Sequence, residues 1–181
     1  GSLYIDVGSQ FWTDLAGRDY GGSAYWRRLI SNSKSATTGT NWVYQNTDID
    51  SNYIYEIVII YGDNAGGASM NFSITDEAGQ TVDPFTQDSI LQFGALQNIE
   101  SPNFGINEYY YDGYFADDFR FFNNNEPKIR EFVNSVTLNN REQDNSFSFV
   151  WHSYIVPNEH GYFTFGTTSD DASYLFVRKA V

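Results

Sequence analysis

The sequence TFGTTSDDASYLFV occupies residues 164–177, close to the C-terminus of a 181-residue chain. Its central pair, Asp170 and Asp171, lies between two stretches that are typical of β-strands. Two adjacent carboxylates repel each other unless a cation or solvent separates them. The pair therefore indicates a cation site, and calcium is the first candidate because it prefers oxygen ligands.

The composition favours one all-β domain over residues 1–181. Hydrophobic residues make up 41% of the chain and aromatic residues 18%, which is enough for a sizeable core. The abundance of Tyr, Phe, Gly, Thr, Ser and Asn favours strands and turns over helices. The predicted fold class is an antiparallel β-sandwich.

Charge and cysteine content exclude several kinds of partner and site. The formal net charge of −13 repels nucleic acid, and the absence of cysteine rules out disulfides and thiolate metal sites. The longest apolar stretch is too short to span a bilayer, so we expect no direct membrane insertion and a soluble chain as given. The acidity itself indicates either solubility or carboxylates that bind hard cations.

Several segments have strand-like patterns. Tyr53–Tyr61 predicts a central strand that ends at an oxygen-rich loop, and Ala68–Ile74 predicts its antiparallel hairpin partner. Ser146–Tyr154 and Gly161–Thr167 alternate polar and aromatic residues, which predicts half-buried strands. Lys128–Val133 is the best candidate for a short helix. Residues 84–106 have weak periodicity and are predicted to be a connector.

Three of these segments together carry a family resemblance: Ser148–Pro157, Gly161–Phe165 running into Ser169–Val177, and Tyr55–Ser69. They resemble the anthrax protective-antigen fourteen-kilodalton (PA-fourteen) domain family, which includes the yeast flocculin lectins and sugar-binding modules of bacterial adhesins. The resemblance implies a lectin-like β-sandwich that binds carbohydrate.

The order of the segments differs from that of the resembling family. In the family the paired aspartates precede the Ile/Tyr strand and its glycine-rich loop, whereas here they follow it by about a hundred residues. Two hypotheses account for this order. Either the domain is circularly permuted, with residues 84–106 connecting its two halves, or the chain was cut from a tandem array. We favour permutation because domain termini often lie close together.

The resemblance also implies a set of ligands. In the family the paired aspartates are joined by a cis peptide and hold calcium, which implies the same role for Asp170 and Asp171. Calcium takes roughly 6–8 oxygen ligands, so other groups must contribute. The loop after Tyr61 matches the family's second source of ligands. The candidates there are the side chain of Asp63 or Asn64 and the backbone carbonyls of Ala65 and Gly67.

Sugar binding would then proceed through the ion, with two adjacent hydroxyls replacing water. Tyr25 and Trp26 are candidates for stacking on the apolar face of a sugar, although packing in the core or a loop is the more common role of such residues. Asp117 and Asp118, a second adjacent pair, are predicted to lie in a solvated turn. Asp48 and Asp50 have acidic spacing but lack the glycine and glutamate of a helix-loop-helix calcium site.

No pattern predicts an enzyme. The two histidines, His152 and His160, have no cysteine or nearby histidine to complete a zinc set, and no serine lies in a nucleophile-elbow context. Directly adjacent aspartates would not flank a glycosidic bond.

The predicted function is calcium-dependent glycan binding by an extracellular, cell-surface adhesin, with this chain as a monomeric domain of a larger protein. The alternatives are a calcium-stabilised structural or protein-interaction module and an accessory sugar-binding module of a glycoside hydrolase.

Overall fold

The computed structural model describes residues 27–32, 43–94 and 104–179, and within these ranges the fold is a two-sheet antiparallel sandwich. The prediction of an all-β sandwich is confirmed. The elements in chain order are β1 (Arg27–Asn32), β2 (Val43–Ile49), β3 (Tyr55–Asp63), β4 (Ser69–Thr75), β5 (Leu91–Gly94), β6 (Ile106–Asp112), α1 (Arg120–Asn124), β7 (Ile129–Val133), β8 (Phe147–Pro157), β9 (Gly161–Asp170) and β10 (Ala172–Lys179).

The larger sheet has seven strands. Six of them lie in the order β1-β10-β3-β8-β6-β7, and the seventh, β5, pairs with residues 154–157 at the C-terminal end of β8. Strand β3 lies between β10 and β8, and all nine of its residues are buried. Its near-continuous run of Ile, Val and Tyr suits this position because both faces of the strand are covered.

The smaller sheet has three strands in the order β2-β9-β4. Its inward side chains, including Ile49, Ile74 and Phe165, share one hydrophobic core with Ile57 and Trp151 of the larger sheet. Burial of this apolar surface is the main force that holds the two sheets together.

A second hydrophobic cluster covers the outer face of the larger sheet. The segment around α1 supplies Phe115, Phe119 and Phe122, which pack against Val58 and Val150. For this reason β8 is not half-buried as predicted: residues 147–153 are all buried, and both of its faces meet apolar groups.

The predicted hairpin of Tyr53–Tyr61 with Ala68–Ile74 is wrong. Strand β3 lies in the larger sheet and β4 in the smaller one. Both edges of β3 are taken by β8 and β10, so the loop after Asp63 carries the chain across the sandwich to pair with β9. The alternating pattern correctly indicated strands but contained no information about their partners.

The predicted helix at Lys128–Val133 is also wrong. Residues Ile129–Val133 form β7, which pairs with the free edge of β6, while the described helix lies earlier at Arg120–Asn124. That helix has five residues, and no described helix is long and apolar enough to cross a membrane. The predicted connector, residues 84–106, contains β5, and residues 95–103 within it lie outside the described ranges.

Candidate functional site

Three aspartates meet at one end of the sandwich. Asp63 is the last residue of β3, Asp170 is the last residue of β9, and Asp171 follows it directly. Strand pairing brings them together, because Gly62 lies opposite Ala172 and Asp170 lies opposite Ser69. One carboxylate oxygen from each of the three lies within 4.8 Å of the others.

Asp171 forms the corner between the two sheets. Strand β9 belongs to the smaller sheet and β10 to the larger one, so a single residue separates strands of different sheets. Asp171 has a φ of 64°, in the left-handed region that Asp adopts more readily than most residues. The hydroxyl of Ser169 donates to the Asp171 carbonyl at 3.0 Å and braces the turn.

The expected cis peptide between Asp170 and Asp171 is not found. No described residue has a cis peptide, and the positive φ of Asp171 makes the sharp corner instead. The two carboxylates still point to the same place as Asp63.

Asp63 is the buried member of the cluster. Its exposed fraction is 0%, and neither carboxylate oxygen has a hydrogen-bond donor. Burial first, and then the charges of Asp171 and Asp170, raise the pKa of Asp63 to about 7, while Arg141 acts in the opposite direction. Asp171 can share a hydrogen bond with Asp63 only when one of the two carboxyls is protonated.

The loop after Asp63 is exposed and contacts the cluster through its backbone. The Asn64 amide donates to Oδ2 of Asp171 at 2.7 Å, while its carbonyl accepts from Ser146. Gly67 lies beside Asp170, since a Cβ there would be 3.9 Å from Oδ2. Ala65 lies on the exposed loop between them. Asp63 and Asn64 are the two alternatives for a side-chain ligand. The Asp63 carboxylate lies in the cluster, whereas Asn64 contacts it through its backbone N–H.

The two predicted stacking residues, Tyr25 and Trp26, lie outside the described residues. Sequence reasoning missed two other tyrosines near the cluster. Burial and then the charge of Asp63 raise the pKa of Tyr61, and burial together with Asp117, Asp171 and Asp63 raises that of Tyr114. Strand alternation could have placed Tyr61 on the same face as Asp63, but nothing in the sequence indicated Tyr114.

The remaining polar candidates have other partners. Asp118 is exposed and accepts from Arg120 at 2.9 Å, and Asp117 accepts from the Tyr174 hydroxyl at 2.8 Å. His152 is buried against Glu56, and exposed His160 lies near Asp48 and Asp50.

The donor set fits a hard cation. Three carboxylates, one of them buried and without a hydrogen-bond donor, supply the oxygen ligands that calcium prefers. A buried carboxylate among like charges is costly unless a proton or a cation neutralises it.

No curated protein and no solved structure matches the chain. The family model of the PA14 domain matches residues 103–181, which include Asp170 and Asp171 but not Asp63. PA14 domains are binding modules of the carbohydrate-binding and adhesin type, found mostly in extracellular proteins. The match supports the predicted resemblance to this family over residues 103–181.

Proposed function

We propose that this chain is a calcium-dependent carbohydrate-binding module of a cell-surface adhesin, with Asp63, Asp170 and Asp171 as the side chains that hold the ion. The observation that supports it most directly is the buried Asp63 carboxylate, which has no hydrogen-bond donor and faces two further carboxylates. No catalytic role is proposed for these residues.

The arrangement leaves one side of the cluster open to a ligand. Asp170 and Asp171 are half-buried, and residues 64–67 beside them are exposed. The backbone carbonyls of Ala65 and Gly67 are the proposed further ligands, and Tyr25 and Trp26 remain the proposed stacking residues. When bound, calcium supplies a positive centre at which vicinal sugar hydroxyls can replace water.

Glycan-array binding in calcium and in chelator tests this proposal. Binding should be lost in chelator and in Asp170→Ala, because each removes part of the ion site. The matched control is Asp118→Ala, which alters the other adjacent aspartate pair at an exposed position and should bind normally. Binding of neutral glycans that survives both chelator and Asp170→Ala would disprove the proposal.

One observation favours a second candidate function, a calcium-stabilised structural or protein-interaction module. Asp63 belongs to the larger sheet and Asp170 to the smaller one, so one ion would tie the two sheets together. In that case calcium would raise the melting temperature while no sugar on the array bound. Both candidate functions therefore predict that calcium raises the melting temperature, but only the first predicts binding to the glycan array.

A further inference from the structure

A cavity of about 470 Å³ lies at the edge of the larger sheet, beside β6 and β7. Its lining includes Phe104, Glu108, Phe132 and the loop that follows β7. This volume is within the range that holds small ligands, roughly 300–1,000 Å³. Glu108 lies four residues before Asp112, the end of β6 nearest the aspartate cluster, which places the cavity about 13 Å along the strand from that end.

Glu108 is a buried carboxylate in this cavity, with an exposed fraction of 3%. The Trp151 indole donates to its Oε2 at 2.8 Å, and the Asn140 amide donates to its Oε1 at 2.9 Å. The same Asn140 nitrogen donates to Oε2 of Glu131 at 2.9 Å. Glu108 and Glu131 are directly opposite in the pairing of β6 with β7, so one neutral amide bridges two carboxylates.

Among the described residues, no positive charge in the cavity lining balances these carboxylates, because none of the lining residues is basic. The basic residues of the neighbouring segment have acidic partners elsewhere: Arg130 pairs with Glu126 at 3.2 Å, and Lys128 pairs with Glu142. Directly opposed like charges destabilise a strand pair, and hydrogen bonds from neutral groups offset only part of the cost of a buried carboxylate. The described part of the site therefore lacks a positive group.

The rest of the lining suits a ligand that carries hydroxyl groups. Ser135 and Thr137 carry hydroxyl groups, and Phe104 and Phe132 carry aromatic rings. Aromatic rings pack against the C–H faces of sugars and also attract cations. An ammonium group, several hydroxyls and an apolar face occur together in amino sugars.

We propose that this cavity binds an amino sugar with a free ammonium group, and that the ammonium lies against Glu108 and Glu131. This site is separate from the aspartate cluster and needs no calcium. It goes beyond the proposed function, because it would recognise a charged sugar through carboxylates of the protein itself.

The first experiment compares three probes by NMR titration of the whole chain in the presence of chelator. Glucosamine carries the ammonium, whereas N-acetylglucosamine and glucose are neutral and similar in shape. We expect glucosamine to bind about tenfold more tightly than either, which corresponds to one favourable charge contact. Equal affinity for the three sugars, or no binding of glucosamine at millimolar concentration, would overturn the proposal.

The second experiment tests the residues. Glu108→Gln and Glu131→Gln should each weaken glucosamine binding about tenfold, and Glu131→Gln changes a less buried position if the first variant does not fold. The matched control is Glu159→Gln, which removes the same charge at an exposed site outside the cavity. Calcium in place of chelator should leave the glucosamine affinity of the unaltered protein unchanged. A glucosamine affinity that depends on calcium would place the ligand at the aspartate cluster and refute this site.

Discussion

Asp63 combines three properties that rarely occur in one carboxylate: full burial, no hydrogen-bond donor, and two acidic neighbours. In the absence of a cation, ionisation of Asp63 opposes folding. A substitution of Asp63 is therefore the most sensitive test of whether the cluster binds an ion.

Asp63→Asn should stabilise the metal-free protein at about pH 8 and remove the stabilisation by calcium. The amide has nearly the same shape, carries no charge and can donate to Asp170 or Asp171. We expect a gain of about 1–3 kcal/mol, or roughly 2–10 °C in melting temperature. Thermal unfolding with calcium and with chelator checks this. A variant that melts lower in chelator, or still gains stability from calcium, would contradict it.

The raised pKa of Asp63 predicts how stability and calcium affinity depend on pH. The folded pKa is about 7 and the ordinary value is 3.8, so between these values the folded state holds the extra proton. The contribution of Asp63 to the stability of the metal-free protein is therefore fully present below about pH 4 and is lost as the pH rises through 7.

Calcium must displace that proton, so its affinity should fall by about tenfold for each pH unit below 7 and level off above it. Calorimetric titration between about pH 5.5 and 8.5, in two buffers of different ionisation enthalpy, measures both the affinity and the released proton. Asp63→Asn is the control and should give neither heat of calcium binding nor proton release. A flat profile in the unaltered protein would count against the predicted linkage.

At this scale the sequence and its family resemblance point to a loop about a hundred residues upstream of the paired aspartates. In the fold, Asp63 and Gly67 of that loop lie beside Asp170, and their role as ligands stays a prediction. Tyr114 could not be found, because it reaches Gly62 through the fold of a separate segment. The sequence contains no pattern that predicts this contact between Tyr114 and Gly62.

At the scale of elements, the end of β3 is shaped by the segment that precedes α1. Gly62 lies directly under the rings of Tyr114 and Phe115, and a Cβ at this position would be 2.5 Å from the ring of Phe115. The glycine therefore allows the rings of Tyr114 and Phe115 to approach β3 next to Asp63.

Gly62→Ala should destabilise the protein by about 1–3 kcal/mol, because the added methyl group must displace buried rings. We also expect weaker calcium binding, since Asp63 is the next residue. Gly161→Ala is a suitable control in a strand of the other sheet, where the nearest atom, the flexible Glu77 side chain, lies at an ordinary 3.4 Å. Urea unfolding measures the free energy of unfolding of both variants. Equal values would show that the rings of Tyr114 and Phe115 move aside at little cost, which would contradict this prediction.

Strands were easier to predict than their partners, for a physical reason. The apolar and alternating patterns of Tyr55–Tyr61 and Gly161–Thr167 reflect burial of each segment, which is a local property. Sheet membership depends on which edges are free after all strands have formed. Ile129–Val133 shows the limit: its pattern resembled a short helix, but the edge of β6 was available and determined its conformation.

At the scale of the molecule, the two halves of the chain are interleaved in both sheets. Strand β3 from the first half lies between β8 and β10 from the second, and β9 from the second half lies between β2 and β4 from the first. This arrangement is compatible with the proposed circular permutation, in which residues 84–106 join the two halves.

Cleavage of the chain at a protease site inserted between β5 and β6 should not separate the two halves. The pairings of β3 and β9 cross the cut and lie in the core, so the pieces should elute together at the mass of the intact domain. Size-exclusion chromatography after cleavage measures this, with the same sample in urea as the control for complete cutting. Separate elution without urea would mean that each half folds independently.

The position of β3 has a consequence for synthesis of the protein. Its apolar strand emerges from the ribosome about a hundred residues before Ile155 and Lys179, the residues that pair with Tyr55. Until then, both edges of a strand rich in Ile and Val stay unpaired, which is the condition that promotes aggregation of nascent chains. We therefore expect the yield of this protein to depend on chaperone supply more than its final stability suggests, because residues 55–61 need protection until their partners are made.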